Sequence, residues 1–562
     1  MQLPAIRLAR RDGIRCVVAD GNPECPGRGE ADVFEHIDLN NADGMTEAAR
    51  KHAVDGVFTA GTDFSTTVAW VAESLGLPGI PYDVALRAKD KGLMRETLHS
   101  AGVPVPPFVV YENGMPNGNP DLVPFPAVVK PVDNMGARGV RTVHSAEERE
   151  HAVSLALGAS RSGRVICEAF IPGPEYSIDA ISYGGTVSIC GIGDRHIAFA
   201  PYFVETGHTI PARIDAGQER VLSDAFGTAV RAIGIDPGAA KGDVFLVDRD
   251  KAPEWLAERG ADKWIPVVGE IAARLSGGYM SGWTYPMARG AEPTLAAMRI
   301  ALGGNPEGLV ETRTRYSAER AIMSIPGIIR RFDKIPEAET VFLTRNPGDR
   351  VSLPTSNVEK CGNIITTGDD YEAACRRADA FIKSVSVKLE PGDRETESFL
   401  FGSRQNTAEG RPPGTVWNPV TVWNADNRHS GEHTSRLIRE AGGRLRRVAA
   451  DFRDRENGDT EAAENPHPWT DCLRQRMQSL DAATLESIID IRKASRADCL
   501  RFLIDYLKVE VSSGTHDILC DLALLAIERG GLQGCEYLID TVTRPEDITE
   551  LCRRLGNYSH DS

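Results

Sequence analysis

The stretch VVGEIAARLSGG, from Val267 to Gly278, places two opposite charges and a glycine pair at the end of an apolar run. A short apolar run of this kind predicts a buried strand. Because side chains alternate across a strand, Glu270 and Arg274 are predicted to share one face with Ala272 between them, at successive spacings of about 6.6 Å. The pair is either a cross-strand ion pair on a solvated face or a site that handles a cation and an anion together.

Length and composition indicate a multidomain globular protein. The chain has 562 residues, of which 41% are hydrophobic and 26% charged, and a chain of this length usually folds as several domains. Its formal net charge of -16 argues against a general nucleic-acid binder, since such proteins use an excess of Lys and Arg against phosphate backbones. We therefore expect no nucleic-acid partner.

The first residues and the cysteines bear on location. The segment MQLPAIRLARRDGIRC (1–16) lacks the apolar core of a signal peptide, and no uncharged apolar run approaches the roughly 20 residues of a membrane helix. The 11 cysteines form no C-x-x-C pair and are expected to be reduced, buried thiols. The sequence therefore predicts a cytoplasmic protein without a membrane partner.

Residues 1–86 are predicted to form a small α/β domain. A helix in AIRLARRDG (5–13), a strand in IRCVVADGNP (14–23) and a second buried strand in GVFTAG (56–61) are typical of a parallel sheet with helical connections. Such units usually begin with a strand, whereas Met1 falls where the first helix should begin. We expect the opening strand to be missing, either because the start is late or because the sheet lacks it.

The remaining chain divides by composition into four predicted parts. Strand and helix patterns fill residues 87–298, and shorter strands with one amphipathic helix follow in 299–400. Residues 401–468 are polar and rich in turn formers, which is typical of a linker or a long surface loop. Residues 469–562 carry apolar residues at helical spacing and predict a helical domain of unknown role.

A lysine and a glycine-containing loop form the first candidate phosphate site. In VVKPVDNMGARGV (128–140), Lys130 ends a buried strand and precedes a loop with Gly136 and Gly139. Such a loop can place an ammonium group and backbone N–H groups against phosphates. Taken alone the pattern is weak, because most lysines at strand ends only solvate the strand terminus.

Two further segments supply carboxylates. In CEAFIPGPE (167–175), an extended backbone can pair with an adenine edge and Glu175 can accept ribose hydroxyls, although Glu168 and Glu175 could also be surface charges. Asp243, in KGDVFL (241–246), and Glu270 lie on strands that we predict to be antiparallel neighbours. Two such carboxylates can hold Mg²⁺ that bridges nucleotide phosphates.

In this order and spacing, the segments resemble those of the ATP-grasp superfamily across about residues 1–395. The segment QLPAIRLARRDGIRCVVADGNPECPG (2–27) resembles the Rossmann-like pre-ATP-grasp domain of carbamoyl-phosphate-synthase-like members. The resemblance implies an α/β fold class with a pre-ATP-grasp domain at 1–86 and an α+β ATP-grasp domain at 87–298, whose lid subdomain lies at about 118–190. A C-terminal ATP-grasp subdomain at 299–400 and the α-helical C-terminal extension follow.

The resemblance also implies roles for single residues. KDKGLMRETLHSAGVPVP (89–106) is similar to the segment with the first ATP-contacting lysine, and the strands of Asp243 and Glu270 are similar to the metal-carboxylate strands. Lys130 and Arg274 take catalytic roles, Arg274 by stabilising the transferring phosphate or acyl phosphate. The implied nucleotide-binding residues are Lys91, Lys130, Asn134, Gly136, Arg138, Gly139, Glu168, Ala169, Ile171 and Glu175.

The segment APYFVETGHTIPA (200–212) resembles the acceptor-pocket segment of the amino-acid-ligase branch. It implies substrate contacts from Glu205 and His208, joined by Arg274, Gly277 and Gly278. A single histidine beside a strand is as often a packing or capping residue, since histidine is a frequent but not a diagnostic site residue. Both interpretations of His208 are kept.

Two departures from the superfamily pattern narrow the function. Many members have Asn where this chain has Ala272, so one oxygen ligand for the second magnesium is absent, as is common in the carboxylate–amine ligase branch. Biotin carboxylases have a longer polyglycine lid than NMGARG (134–139), and a different run after the arginine than LSGGYMSGW (275–283). These differences argue against bicarbonate activation for biotin.

The resemblance implies an ATP-dependent carboxylate–amine ligase that forms an acyl phosphate, with Mg²⁺ as cofactor and Mn²⁺ as a substitute. The expected partners are small-molecule carboxylate and amine substrates, the carboxylate being an amino acid or peptide-like compound, and a homodimer is one assembly left open. The alternatives are a carbamoyl-phosphate-synthase-like or biotin-carboxylase-like enzyme acting on bicarbonate, and a nucleotide-binding regulatory module whose output is the helical domain.

Overall fold

The computed structural model describes residues 2–199, 202–257, 263–333, 335 and 340–401, together with separate positions between 522 and 555. The chain forms two compact units. Unit 1 comprises Met1–Arg320 with Ile365–Ala378, and unit 2 comprises Ala321–Ile364 with Asp379–Ser562. Helices and strands are mixed throughout the described chain, so the predicted α/β class is confirmed.

The helices and strands are numbered in chain order. The helices are α1 (Leu3–Arg11), α2 (Ala42–Lys51), α3 (Ser65–Leu75), α4 (Tyr82–Lys89), α5 (Lys91–Ser100), α6 (Ala146–Ala159), α7 (Ala216–Ile233), α8 (Glu254–Ala257), α9 (Tyr285–Arg289), α10 (Pro293–Ala301), α11 (Tyr371–Ser384) and α12 (Arg394–Phe401). The strands are β1 (Val17–Asp20), β2 (Val33–His36), β3 (Phe108–Glu112), β4 (Met115–Pro116), β5 (Ala127–Pro131), β6 (Arg141–Val143), β7 (Arg164–Ala169), β8 (Glu175–Tyr183), β9 (Thr186–Ala198), β10 (Val204–Ile210), β11 (Gly238–Asp248), β12 (Trp264–Ala272), β13 (Tyr316–Ile322), β14 (Gly327–Asp333), β15 (Thr340–Leu343), β16 (Arg350–Val351), β17 (Gly362–Gly368) and β18 (Ser386–Leu389).

The N-terminal part of unit 1 differs from the expected sheet. β1 lies in a predicted strand segment and pairs in parallel, as expected, but its partner is β2, a strand that the sequence analysis did not predict. The predicted strand at 56–61 is wrong, because that segment forms no strand. Its backbone lies against other backbone instead of a sheet edge: a Cβ on Gly56 would lie 2.2 Å from the carbonyl oxygen of Ala301. The amide of Gly61 donates to the carbonyl of Leu275 at 3.3 Å.

A small antiparallel sheet follows, with the strand order β4-β3-β7-β5-β6. Helix α6 packs on it, and buried valines and alanines of both elements form their own core, including Val129, Val143 and Ala156. Helix α6 begins at a capping serine, since Ser145 accepts a hydrogen bond from the amide of Glu148. The loop between β5 and β6 is the glycine-containing loop of the sequence analysis.

The large sheet of unit 1 runs through β12, β11, β8, β9, β10 and β13 in that order, and all neighbouring strands in this series are antiparallel. Helix α7 covers it and buries Phe226 against Ile178, Val244 and Val268. The 18-residue α7 is the longest helix in the described part of the chain, yet no helix within the described ranges is long and apolar enough to cross a bilayer.

Gly242 lets α7 approach the strand that carries Asp243. A Cβ at Gly242 would lie 2.4 Å from Cε2 of Phe226 and 2.9 Å from the carbonyl oxygen of Glu270. We therefore expect Gly242→Ala to destabilise the protein by about 1–3 kcal/mol through overpacking, measured by urea denaturation. Gly158→Ala in α6 is the control, since that Cβ would meet nothing within 4 Å. A variant Gly242→Ala as stable as this control would contradict the close approach.

The strand of Glu270 ends earlier than predicted. β12 stops at Ala272, so the prediction that Arg274 shares a strand face with Glu270 is wrong. The chain leaves the sheet because its next polar groups have other partners. The amide of Ser276 donates to the carboxylate of Asp179 at 3.1 Å, and the guanidinium of Arg274 donates to the carbonyl of Leu275 at 2.9 Å.

Unit 2 contains a three-stranded sheet in the order β16-β14-β18. The described positions from Leu522 to Leu555 are helical except Val542, in agreement with the predicted helical extension. Among them Arg554 holds the fully buried carboxylate of Glu397 on α12, with a shortest distance of 2.6 Å. The predicted linker at 401–468 lies outside the described residues apart from Phe401.

Candidate active site

Two carboxylates face each other on the central strands of unit 1. Asp243 on β11 is the direct antiparallel partner of Glu270 on β12, so both side chains lie on one face of the sheet. Asp243 is buried, whereas 33% of the Glu270 side chain is exposed. Oδ2 of Asp243 accepts from Lys241 and lies 2.8 Å from Nη1 of Arg195. Its Oδ1 is buried and has no hydrogen-bond partner among the described residues.

These two residues fit Mg²⁺ as part of a shared coordination shell. Within the described ranges, no group of three or more His, Cys, Asp or Glu side chains is arranged to hold a metal ion. Magnesium commonly takes one or two protein carboxylates and completes its shell with water and nucleotide phosphates. A buried carboxylate oxygen without a partner, opposite a second carboxylate, suits this type of site.

Cationic side chains surround Glu270. Nζ of Lys91 lies 3.4 Å from Oε1 of Glu270. Burial by itself raises the pKa of Glu270, but Lys91, Lys241, Lys130 and Arg274 outweigh it and hold that pKa well below its ordinary value. Glu270 is therefore ionised at neutral pH, and the surplus of positive charge suits a polyphosphate.

Lys91 lies at the start of α5 and reaches the glycine-containing loop. The amides of Gly92 and Leu93 donate to the side chain of Asp90, which caps the helix. Nζ of Lys91 donates to the backbone carbonyl of Asn134 at 2.9 Å. The helix N-terminus, the lysine and the loop thus lie together, an arrangement suited to anions.

The loop between β5 and β6 is held by its own backbone and side chains. Gly136, Ala137 and Gly139 all have positive φ, of 70°, 60° and 73°. The side-chain amide of Asn134 donates to the carbonyl of Ala159, and Nε of Arg138 donates to the carbonyl of Met135, both at 3.0 Å. In this conformation the predicted loop residues therefore contact one another and α6.

The carboxylate of Glu168 is shared by two cations. It accepts from Lys130 through Oε1 and lies 3.0 Å from Nε of Arg95 through Oε2. Arg95 is fully buried and also donates to the carbonyls of Val268 and Gly269, at 3.0 and 2.6 Å. Glu168 thus joins the small sheet to α5 and β12, and it positions Lys130 at the site.

The residues after Glu168 belong to the segment that was predicted to bind adenine. The amide of Ala169 donates to the carbonyl of Pro107 at 2.9 Å, so this backbone group is already paired. Ile171 is buried and packs with Val247 and Val267. Its position beside the sheet suits an apolar wall.

A buried arginine that the sequence analysis missed connects three of the predicted residues. Nη1 of Arg195 on β9 lies 2.6 Å from Oε1 of Glu175 and 2.8 Å from Oδ2 of Asp243. Its Nη2 lies 3.3 Å from Oε2 of Glu205. Burial raises the pKa of Glu175 despite this arginine. One guanidinium therefore binds the predicted ribose, metal and acceptor carboxylates.

His208 is fully buried on β10, opposite Glu319 on β13. Its Nδ1 lies 3.1 Å from Oε2 of Glu319 and 3.8 Å from Oε1 of Glu205, and its Nε2 lies 3.0 Å from Oγ1 of Thr284. Burial lowers the pKa of His208, but the two carboxylates outweigh burial and raise it. His208 is thus held in a buried charged pair with Glu319, and its contact with the substrate stays a prediction.

Arg274 leads into a tightly packed glycine loop. Gly277 lies against Gly61, where a Cβ would come within 2.9 Å of the Gly277 Cα. Gly278 has φ 60°, and a Cβ there would lie 3.6 Å from Oε1 of Glu205. Arg274 and Glu205 therefore stand at the two ends of the same short loop, which is the predicted acceptor region.

Asp179 on β8 holds the start of this loop through Ser276. Its carboxylate is fully buried and accepts hydrogen bonds from the amide and the hydroxyl of Ser276, the latter at 2.7 Å. Burial raises the pKa of Asp179 to about 6, although the bonds from Ser276 act in the opposite direction.

A raised carboxyl pKa gives stability a defined dependence on pH. The folded protein binds this proton more tightly than the unfolded chain, whose Asp pKa is about 3.9. The contribution is therefore fully present below about pH 3.9 and is lost as the pH rises through about 6. Between pH 7.5 and pH 5, this group should add about 1 kcal/mol to the free energy of unfolding.

We expect Asp179→Asn to remove that pH-dependent part. Urea denaturation of the wild type and of Asp179→Asn at pH 7.5 and pH 5 measures it, because the difference between the two proteins cancels other titrating groups. The wild type should gain about 1 kcal/mol over the variant on going to pH 5. An unchanged difference would show that Asp179 titrates as an ordinary carboxyl.

The structure brings most predicted residues to one face of unit 1, and it adds Arg195, Asp179, Arg95 and Glu319. Three of the added residues are charges inside strands: Asp179 in SIDAIS (177–182), Arg195 in GIGDRHIA (191–198) and Glu319 in YSAERAI (316–322), the last two beside further polar or charged residues. A charge at a buried strand position is rare unless it is paired. That interruption of the apolar pattern was the signal available in the sequence.

Comparison with known proteins agrees with this arrangement. A family model described as an ATP-grasp domain matches residues 88–248. A second, described as L-amino acid ligase C-terminal domain 2, matches residues 325–390. Together they cover the lysines, the glycine loop, Arg195 and Asp243, and most of the strands of unit 2.

Two similar proteins each match only part of this chain. Carnosine synthase 1 of Gallus gallus is 26% identical over 324 residues, which are 52% of this chain and 33% of that protein. The N-terminal section of the carbamoyl phosphate synthase large chain of Aquifex aeolicus is 24% identical over 402 residues, 66% of each chain. The chain thus spans between a third and two thirds of the length of these relatives.

A solved structure shows the same fold. The L-amino acid ligase from Bacillus licheniformis superposes with a TM-score of 0.59 at 21% identity, over 69% of this chain and 95% of that one. Its agreement at this identity concerns the fold. The two family matches show that the chain carries an ATP-grasp domain at residues 88–248 and an L-amino acid ligase C-terminal domain 2 at residues 325–390.

Proposed function

We propose that this protein is an ATP-dependent carboxylate–amine ligase that releases ADP and phosphate. The single observation that carries the proposal is the cross-strand pair of Asp243 and Glu270, with an unpartnered buried oxygen on Asp243 and several cations around Glu270. A pair of carboxylates within a cationic pocket suits a metal-bound triphosphate and not a simple surface ion pair.

Nucleotide binding would fall to the lysines and the loop. Lys91 at the start of α5 and Lys130 at the end of β5 would neutralise phosphate oxygens, and the backbone of the glycine-containing loop would cover them. Asp243 and Glu270 would hold Mg²⁺, which when bound supplies charge stabilisation at the β- and γ-phosphates. Glu175 lies where a ribose hydroxyl could be accepted once the nucleotide is bound.

Arg274 would bind the acceptor carboxylate and the phosphoryl group. A carboxylate oxygen attacks the γ-phosphorus, the bond to the bridging oxygen of ADP breaks, and an acyl phosphate results. An amine then attacks the acyl carbon, phosphate leaves, and the amine loses a proton. The fixed guanidinium of Arg274 would stabilise charge on the transferring group in both steps.

The acceptor region suits a substrate that carries both charges. Arg274 supplies a cation at one end of the Ser276–Gly278 loop, and Glu205 supplies a carboxylate near the other end. A free amino acid carries a carboxylate and an ammonium group, which these two side chains would complement. We therefore propose an amino acid or an N-terminally free peptide as the carboxylate substrate, in keeping with the match to an L-amino acid ligase domain.

Bicarbonate is the second candidate acceptor. It is favoured by the match to the N-terminal section of a carbamoyl phosphate synthase large chain, which extends over 66% of this chain. Arg274 could serve its single carboxylate as well, but a bicarbonate enzyme has no evident use for Glu205 and a charged His208 beside it.

The test is phosphate release from ATP and Mg²⁺ in the presence of single amino acids, paired amino acids or bicarbonate alone. We expect release that requires an added amino acid and rises with a second one. Release driven by bicarbonate alone would favour the second candidate, and nucleotide binding without any turnover would overturn both. The variant Asp243→Asn is the background control, because it removes a carboxylate assigned to the metal.

A cytoplasmic location is part of the proposal as well, and a homodimer is the assembly left to test. The location rests on ATP as the co-substrate and on the reduced thiols expected from the sequence. Size-exclusion chromatography with light scattering would decide the assembly.

A further inference from the structure

Arg195 has an unusual set of partners. Its guanidinium lies within 3.3 Å of carboxylate oxygens from Glu175 on β8, Glu205 on β10 and Asp243 on β11. Only 14% of its side chain is exposed, so these contacts are made largely out of water. Three carboxylates can lie this close together only while the guanidinium offsets the repulsion between their negative charges.

The proposed function brings a competing cation to the same place. If Asp243 holds Mg²⁺, a divalent ion and the guanidinium would share one buried carboxylate. Oδ2 of Asp243 contacts Arg195 and Lys241, while the buried Oδ1 has no hydrogen-bond partner among the described residues. Two cations at that spacing repel each other strongly in a partly buried site.

Resting on the proposed function, we propose that Arg195 is a positioning residue that acts as the internal counter-ion of the metal site. It occupies Asp243 and Glu175 while the site holds no metal, and a divalent cation at Asp243 displaces it toward Glu205 in the acceptor region. Arg195 thereby links occupation of the metal site to the position of an acceptor carboxylate.

The geometry makes this displacement short. Nη2 of Arg195 already lies 3.3 Å from Oε2 of Glu205, while Nη1 holds the other two carboxylates. If the contact with Asp243 is lost, the guanidinium still has Glu175 on β8 and Glu205 on β10 as partners. Because Glu205 in turn lies 3.8 Å from Nδ1 of His208, a shift at Arg195 changes the charge that His208 meets.

The experiment measures Mn²⁺ binding without nucleotide, by the loss of the free Mn²⁺ signal in electron paramagnetic resonance. Arg195→Met should bind Mn²⁺ about tenfold more tightly than the wild type, or better, because the competing cation is gone. Arg195→Lys keeps the charge and should stay near the wild-type affinity. Arg7→Met, which removes an exposed arginine paired with Glu30, is the matched control and should change nothing.

Thermal unfolding gives a second readout. Without metal, Arg195→Met should melt at a lower temperature than the wild type, because three carboxylates lose their shared cation. Saturating Mn²⁺ should recover most of that loss. It should therefore raise the melting temperature of Arg195→Met by more than it raises that of the wild type. In the background of Asp243→Asn, the effect of Arg195→Met on Mn²⁺ affinity should disappear, which shows that the two residues act on one site.

The outcomes separate this inference from the proposed function. If the wild type binds Mn²⁺ and Arg195→Met binds it equally or more weakly, the counter-ion role is overturned although the metal site stands. If Mn²⁺ binding is unaffected by Asp243→Asn, the metal site itself is wrong and the proposed function falls with it. A loss of stability in Arg195→Met that Mn²⁺ does not recover would mark Arg195 as a purely structural residue.

Discussion

Glu270→Gln is expected to lower turnover about 10³-fold or more while the protein stays folded. The change keeps the shape of the side chain and removes one charge from the metal pair, and metal stabilisation of a transferring phosphoryl group supplies several kcal/mol, each 1.4 of which is a factor of ten in rate. The fold should persist because a third of the Glu270 side chain is exposed and the surrounding ammonium groups can be hydrated. Steady-state phosphate release and circular dichroism measure the two parts.

The result distinguishes a metal ligand from a residue that only forms an ion pair. If Glu270 were only the ion-pair partner of Lys91, the variant would keep its activity and lose at most about 1 kcal/mol of stability. Glu96→Gln on the exposed face of α5 is the matched control and should behave as the wild type. Full activity of Glu270→Gln at saturating Mg²⁺ would remove Glu270 from the site.

Arg95→Met should cause the largest loss of stability. The guanidinium is fully buried and joins Glu168 to the carbonyls of Val268 and Gly269. Its removal leaves a buried carboxylate with Lys130 alone and takes one donor from each of the two carbonyls. Breaking a buried ion pair from one side costs about 3–5 kcal/mol, which urea denaturation at neutral pH would resolve.

The matched control is Arg28→Met, which removes an exposed arginine paired with Glu24. It should leave the denaturation midpoint unchanged, because such surface pairs contribute little. A double variant with Glu168→Gln should lose less than the sum of the single variants, since the carboxylate that needs the guanidinium is then neutral. Equal stability of Arg95→Met and the control would show that Lys130 alone satisfies Glu168.

The sequence predicted those parts of the site that depend on local pattern. The prediction that Asp243 and Glu270 lie on neighbouring antiparallel strands is confirmed, and the register of the structure adds that they are directly opposite each other. The buried strand that carries Lys130 near its end and the loop with Gly136 and Gly139 after it are also present, as β5 and the loop between β5 and β6. These features depend on a few neighbouring residues, so the pattern carries them.

The parts that the sequence missed depend on contacts between distant residues. Arg274 was placed on β12 because the alternation continues past Ala272, but the chain leaves the sheet where Asp179 binds Ser276. Arg195 comes to Asp243 only because β8 pairs with both β9 and β11. No local rule predicts which buried charge will meet which partner across several strands.

The site that results is assembled almost entirely in unit 1. The small sheet brings Lys130 and the glycine-containing loop, helix α5 brings Lys91, and the large sheet brings the carboxylates. Arg95 and Arg195 connect these elements at two points through buried charge. We infer that stability and metal chemistry are coupled here, since the same ion pairs that hold the elements together also set the charge of the site.

The products of ATP cleavage in the presence of hydroxylamine test the central claim most directly. Enzyme, ATP, Mg²⁺ and an amino-acid pool are incubated with hydroxylamine, and nucleotides and hydroxamate are measured together. The lysines and the Mg²⁺ that Asp243 and Glu270 would hold act on the γ-phosphoryl group, so ADP and an amino-acid hydroxamate should form together, and Glu270→Gln should lower both. Formation of AMP and pyrophosphate would contradict the proposed mechanism.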